Sequence, residues 1–153
     1  MKEIRRKDRA VEISETMTLL AKGEYGILST VGDDGQPYGV PLNYVYMNGA
    51  IYFHCARVGH KLENIAHNPN VAFCVVARTK VLPAEFSTDY ECAMAIGVAS
   101  EVQGAEWNDA LLWLLEKYSP AYMEEGQIEI TKKAKVTKVI KIDIGHISGK
   151  ARR

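Results

Sequence analysis

Two alternating apolar runs meet at Asn48-Gly49 in the stretch Tyr38-Gly-Val-Pro-Leu-Asn-Tyr-Val-Tyr-Met-Asn-Gly-Ala-Ile-Tyr-Phe-His-Cys55. Asn-Gly between such runs is a strong hairpin signal, because a two-residue turn of the favoured type needs positive φ at both central positions. A hairpin closed there pairs Met47 with Ala50, then Tyr46 with Ile51, Val45 with Tyr52, Tyr44 with Phe53 and Asn43 with His54. Side chains alternate across a strand, so Val40, Leu42, Tyr44, Tyr46, Ile51, Phe53 and Cys55 make one apolar face directed at a core. The opposite face carries Gly39, Pro41, Asn43, Val45, Tyr52, His54 and Ala56. Glycine and proline strip that face of bulk where a flat ligand could approach the backbone, and they fit an edge strand or a bulge equally well.

After Cys55 the pattern changes to a helix over Gly59 to His67, ended by Asn68-Pro69. A helix N-terminus carries unpaired N–H groups and a partial positive charge, which suits a phosphate. Lys61 in the first turn opposes the dipole at a cost of about 0.3 to 1 kcal/mol, and a nearby anion would account for it. Arg57 and His60 could join the same pocket.

Elsewhere the chain reads as α+β without βαβ alternation. A helix is predicted over Val11 to Lys22, and Tyr25 to Val31 approaches Tyr38 through the turn signal Asp33-Asp34-Gly35. Val71 to Val81 is rich in β-branched residues, as a central strand should be. Leu82 to Asp89 reads as a loop, and Cys92 to Val102 as a strand bent at Gly97. Gly104 to Tyr118 is the clearest helix, with Trp107, Leu111, Leu114, Leu115 and Tyr118 on one stripe. The two tryptophans, Trp107 and Trp113, read as packing residues. A polar segment follows, and then a last strand over Val136 to Ile147.

The order of these segments carries a resemblance. A helix, Gly26-Ile-Leu-Ser-Thr30, Asp34-Gly-Gln-Pro-Tyr38, Val40-Pro-Leu-Asn-Tyr44, Ile51-Tyr-Phe-His54, Gly59-His-Lys-Leu-Glu-Asn64 and a terminal Ser148-Gly-Lys150 follow one another. In this the chain resembles the flavin-binding split-barrel proteins related to pyridoxamine 5′-phosphate oxidase, and among them the nitroimidazole-resistance branch. The resemblance implies a mainly β, α+β fold, a six-stranded antiparallel split barrel, and a homodimer with FMN at the subunit interface. It also implies that the backbone of Val40, Pro41, Leu42 and Asn43 lies along the isoalloxazine ring. His54 would stand near the reactive part of the site as a proton donor, and Gly59 and Lys61 would hold the phosphate. The chemistry implied is reduction of a small electron-poor acceptor such as a nitroaromatic or quinone. Related readings are a non-catalytic flavin sensor or store, a haem protein with His54 or His146 as axial ligand, and a deazaflavin protein. Oxidation of pyridoxamine 5′-phosphate itself fits less well, since beyond Arg152-Arg153 the chain has no arginine-rich C-terminal segment.

Composition sets the outer bounds. At 153 residues, 47% hydrophobic and 25% charged, the chain can bury roughly 70% of its unfolded surface in one domain, with residues 1–8 as a basic tail. The 19 basic and 19 acidic residues cancel, so no overall charge draws it to nucleic acid or an acidic membrane. Cys55, Cys74 and Cys92 are odd in number and lack CxxC spacing, which favours a reducing cytoplasm over a disulfide framework. His60 and His67 lie about 10.5 Å apart along a helix at 1.5 Å per residue, too far to share one metal ion. Neither a GxSxG elbow nor a glycine-rich phosphate loop is present.

Overall fold

The computed structural model describes residues Met1–Arg153. In chain order the elements are β1 (Ala10–Val11), α1 (Ile13–Lys22), β2 (Gly26–Val31), β3 (Pro37–Leu42), β4 (Val45–Met47) and β5 (Ala50–Cys55). There follow α2 (His60–His67), β6 (Asn70–Leu82), β7 (Ser87–Val102), α3 (Ala105–Tyr118), α4 (Met123–Lys133) and β8 (Lys138–Arg152). All strand pairs are antiparallel, in the order β3-β2-β6-β7-β8-β5-β4, with β1 attached to β8. The two terminal strands of this path, β3 and β4, are consecutive in the chain. The sheet therefore curls until its ends meet at Asn43-Tyr44, which belong to no ladder, and this open seam makes the barrel a split one.

The sheet has eight strands, not six. The difference has two sources. The predicted continuous strand Tyr38 to Tyr46 is divided at the seam, so that Val40 and Leu42 pair with Leu28 and Gly26 of β2, while Val45 to Met47 pair with β5. The other addition is β1, which takes in Val11, the first residue of the predicted helix. The turn itself is as expected, with φ of 53° at Asn48 and 75° at Gly49 and Met47 opposite Ala50. The ladder stops at Val45 opposite Tyr52, so the extensions from Tyr44 to Phe53 and from Asn43 to His54 are not formed. A chain that leaves one edge of a sheet to found the other cannot remain in a single ladder through the corner.

The inside of the barrel holds Leu28, Tyr44, Ile51, Phe53, Phe73, Val75, Ala93, Ala95, Ile140 and Ile142, closed by Leu19 and Leu20 of α1. The predicted apolar face is thus the core face, with Val40, Leu42, Tyr46 and Cys55 packed at its margin. A second apolar cluster lies outside the barrel wall, where Ala110, Leu111 and Leu114 of α3 cover Val45, Tyr52 and Val139. Trp107 and Trp113 pack there, the first donating through Nε1 to the Thr137 carbonyl at 3.1 Å and the second meeting Tyr52 edge to face. The polar segment after Tyr118 contains α4, and the reach Leu82 to Asp89 is a tight turn whose far side is already β7. No helix is long and apolar enough to cross a membrane.

The β7 and β8 strands change register at Gly97, where a Cβ would stand 2.3 Å from the Asp143 carbonyl oxygen and 2.8 Å from Cγ2 of Ile142. Backbone on a paired strand cannot yield as a side-chain tip can. Gly97→Ala is expected to lower stability by about 1 to 3 kcal/mol, the usual cost of overpacking a core, measured as a shift of the urea midpoint with unchanged slope.

Candidate functional site

Asn43 at the seam and His54 near the end of β5 line one cleft of about 390 Å³ between the barrel wall and the α3–α4 pair. Its apolar wall is Leu111, Leu114, Leu115 and Ile130, and its polar groups include Tyr118, Glu129, Lys133 and Thr137. That volume and mixture are usual for small-molecule sites, which run from about 300 to 1,000 Å³ with a few placed polar groups among apolar ones. No hydrogen bond joins Asn43 to His54, although the two open on the same space. The α4 wall could have been found from charge order, since Glu124 and Glu125 open the helix and Lys132 and Lys133 close it, complementing the dipole.

The cleft walls desolvate His54 and lower its pKa below the usual 6.5, and the Lys133 ammonium adds to the effect. At neutral pH the imidazole is therefore uncharged and presents one N–H donor and one lone pair. Lys133 is itself held 3.6 Å from Glu129.

The remaining predicted residues lie elsewhere. Val40 and Leu42 turn their side chains to the core, leaving only backbone for a ligand, while Gly39 and Pro41 are exposed on the outer surface. Gly59 is the N-cap of α2 with φ 154°, in the positive region that favours glycine, and a Cβ there would meet no atom within 4 Å. Backbone conformation, not crowding, demands glycine at that point. No side chain caps α2. Lys61, in the first turn, is half-buried near the Cys55 thiol and lines neither the cleft nor an ion pair. His60 stacks on Tyr38 with ring centroids 3.9 Å apart, and together with His67 it borders a separate polar hollow beside Asp33, Asp34 and Glu63. His146 is exposed on β8 opposite Ile96 and away from the cleft lining.

A residue pair that sequence reading assigned only to packing or passed over stands at the seam. The Tyr44 N–H donates to Tyr118 Oη at 3.0 Å, and Lys117 Nζ donates to the Tyr44 carbonyl at 2.9 Å. The same ammonium lies 3.8 Å from the centroid of the Tyr44 ring, and burial pulls its pKa down to about 8. The helical stripe included Tyr118, but nothing local links it to a backbone group 74 positions away.

Residues 12–151 match the family described as pyridoxamine 5′-phosphate oxidase. No curated protein matches the sequence. Among solved structures, the conserved hypothetical protein Rv2991 of Mycobacterium tuberculosis is 20% identical over 97% of this chain and 90% of that one, with a TM-score of 0.80. The flavocytochrome Anf3 of Azotobacter vinelandii is 17% identical over 99% and 72%, with a TM-score of 0.79. A candidate 5-nitroimidazole antibiotic resistance protein of Bacteroides thetaiotaomicron is 21% identical over 93% and 86%, with a TM-score of 0.75. At these identities the likeness is one of fold.

Burial holds the folded pKa of His54 below its unfolded value. A base whose folded pKa lies below its unfolded value binds more protons when unfolded, so its neutral-form stability is present above pH 6.5 and is lost as pH falls through the folded pKa. Wild type should therefore lose more stability than His54→Gln between pH 7.5 and pH 5 in paired urea titrations, and parallel pH profiles would refute the assignment.

Proposed function

The chain belongs to the pyridoxamine 5′-phosphate oxidase family, and from that premise we propose that it binds FMN and reduces a small electron-poor acceptor in the Asn43–His54 cleft. One observation carries the reading: an amide and a neutral imidazole open together on an apolar cleft of small-molecule size. The donor set fits FMN. An apolar wall suits a flat ring, the exposed backbone at Gly39 and Pro41 offers an unobstructed approach, and the uncapped start of α2 with Lys61 offers N–H groups and a cation to a phosphate. Lys61 stands outside the cleft, as a group serving the far end of an elongated cofactor should.

Bound FMN would supply the redox chemistry, taking electrons from a donor and passing them to the acceptor. Asn43 can then donate through its amide N–H or accept through its carbonyl oxygen at a ring edge. His54 orients the acceptor through its imidazole N–H, and its depressed pKa disfavours a standing positive charge in the cleft. To serve as the proton donor the ring must first take a proton from solvent, which its exposure at the cleft allows, and it returns to the neutral form on giving that proton up. Leu111, Leu114, Leu115 and Ile130 exclude water from the apolar side.

The reading includes a homodimer. The outer face of β2, β6 and β7 exposes Ile27, Val76, Met94 and Val98, and Pro41 pairs with Ile27 at its edge. A second copy on this face would bury apolar side chains that a monomer leaves in water. The three free thiols accord with a reducing, cytoplasmic setting.

Adding FMN to purified protein should produce oxidised-flavin absorption that bleaches on reduction, whereas a Soret band or no bound chromophore would overturn the proposal. Lys61→Ala should weaken FMN binding by about 1.5 to 3 kcal/mol, the scale of a charged hydrogen bond. His54→Gln should keep FMN and lower turnover of a nitroaromatic acceptor. Met94→Glu should shift the protein to monomer in sedimentation velocity, and an unchanged dimer would exclude this face.

A further inference from the structure

Asn43 cannot be oriented by β-ladder hydrogen bonding, because it lies in the two-residue gap between β3 and β4. Its orientation depends on the peptide that joins it to Tyr44. Tyr44 is fully buried, so its N–H and carbonyl need partners, and both come from the last turn of α3. Tyr118 Oη accepts from the Tyr44 N–H at 3.0 Å and has the Glu24 carbonyl at 2.5 Å and the Tyr44 carbonyl at 3.0 Å as acceptors for its single proton. Lys117 Nζ holds the Tyr44 carbonyl at 2.9 Å. Tyr118 also lines the cleft beside Asn43 and His54.

We propose that Tyr118 and Lys117 are positioning residues: by clamping the backbone of Tyr44 at the seam, they set the direction in which Asn43 presents its amide to the ligand in the cleft. The inference rests on the flavin reading for its redox consequence and on geometry alone for the clamp. A barrel needs some group to satisfy this backbone, and main-chain pairing would do so anywhere else in the sheet. Here two side chains of a helix that also walls the cleft do it, so the ring-facing amide and the apolar wall are held as one unit. Since Asn43 would meet oxidised and reduced FMN with different hydrogen-bond demands at the ring edge, displacing it changes the two affinities unequally.

The test measures dissociation constants for oxidised and reduced FMN on wild type, Tyr118→Phe, Lys117→Met and Val71→Ala. The last is a core truncation that removes no hydrogen bond to the seam. Tyr118→Phe should change the ratio of the two constants about tenfold, equivalent to about 30 mV for a two-electron couple, while Val71→Ala leaves it within about twofold. A ratio within about twofold of wild type in both Tyr118→Phe and Lys117→Met would overturn the proposal. Should Tyr118→Phe fail to fold, Lys117→Met, which keeps all three Tyr118 contacts, is judged by the same ratio. A second readout needs no cofactor: the Asn43 side-chain amide resonances should move in Tyr118→Phe, and the Tyr44 amide should exchange about tenfold faster. If wild type takes up neither form of FMN, the flavin reading fails by itself, and unmoved Asn43 resonances would then dispose of the clamp.

Discussion

Everything in this molecule turns on how a curled sheet ends. The first and last strands of the path are joined by two residues that neither strand can pair, and Tyr44 is buried at that point with its phenol donating to the Leu20 carbonyl. A buried peptide without partners costs more than most single contacts contribute. The last turn of α3 removes that cost through Tyr118 and Lys117. A closed ladder would have needed no helix there, and the helix brings one wall of the cleft with it.

The same arrangement divides the outside of the barrel. Over β4, β5 and the start of β8, α3 is fastened by Tyr52 to Glu106 at 2.8 Å, by Lys141 to Glu106 at 3.2 Å and by the indole of Trp107. Over β2, β6 and β7 the outward side chains Ile27, Val76, Met94 and Val98 remain exposed. The Asn43–His54 cleft sits on the helix-clad side, while Pro41, two residues before Asn43, belongs to the bare side. A ligand spread across the seam would touch both territories, which is why cofactor binding and subunit association belong to one proposal.

Neighbouring residues in the strand serve opposite ends of this arrangement. His54 opens on the cleft, and the next residue, Cys55, faces the core margin near Lys61. Alternation of side chains turns these two neighbours to opposite faces of β5, and Lys61 follows six residues after Cys55 in the first turn of α2. Four residues, Ala56 to Gly59, connect the end of β5 to the start of α2.

Local chemistry alone determined much of this protein. Asn48-Gly49 had to turn because both residues adopt positive φ, the alternation on either side had to bury Ile51 and Phe53, and the leucine stripe of α3 had to find an apolar surface. Those features made an α+β chain with a hairpin at Asn48-Gly49 legible before any coordinates, whereas the barrel came from the family resemblance, and Asn43 and His54 line one cleft without the strand pairing expected of them. The break at Asn43-Tyr44 was not legible, since nothing in Val-Pro-Leu-Asn-Tyr-Val distinguishes one long strand from two that meet at a corner. Nor was α4, none of whose residues is buried, so no apolar stripe marks it and only its terminal charges do. Which strand Val40 pairs with and which helix answers Tyr44 are long-range matters. They follow from closure of the sheet, because only when its two ends are brought together do residues more than 70 positions apart acquire the distances that give them a role.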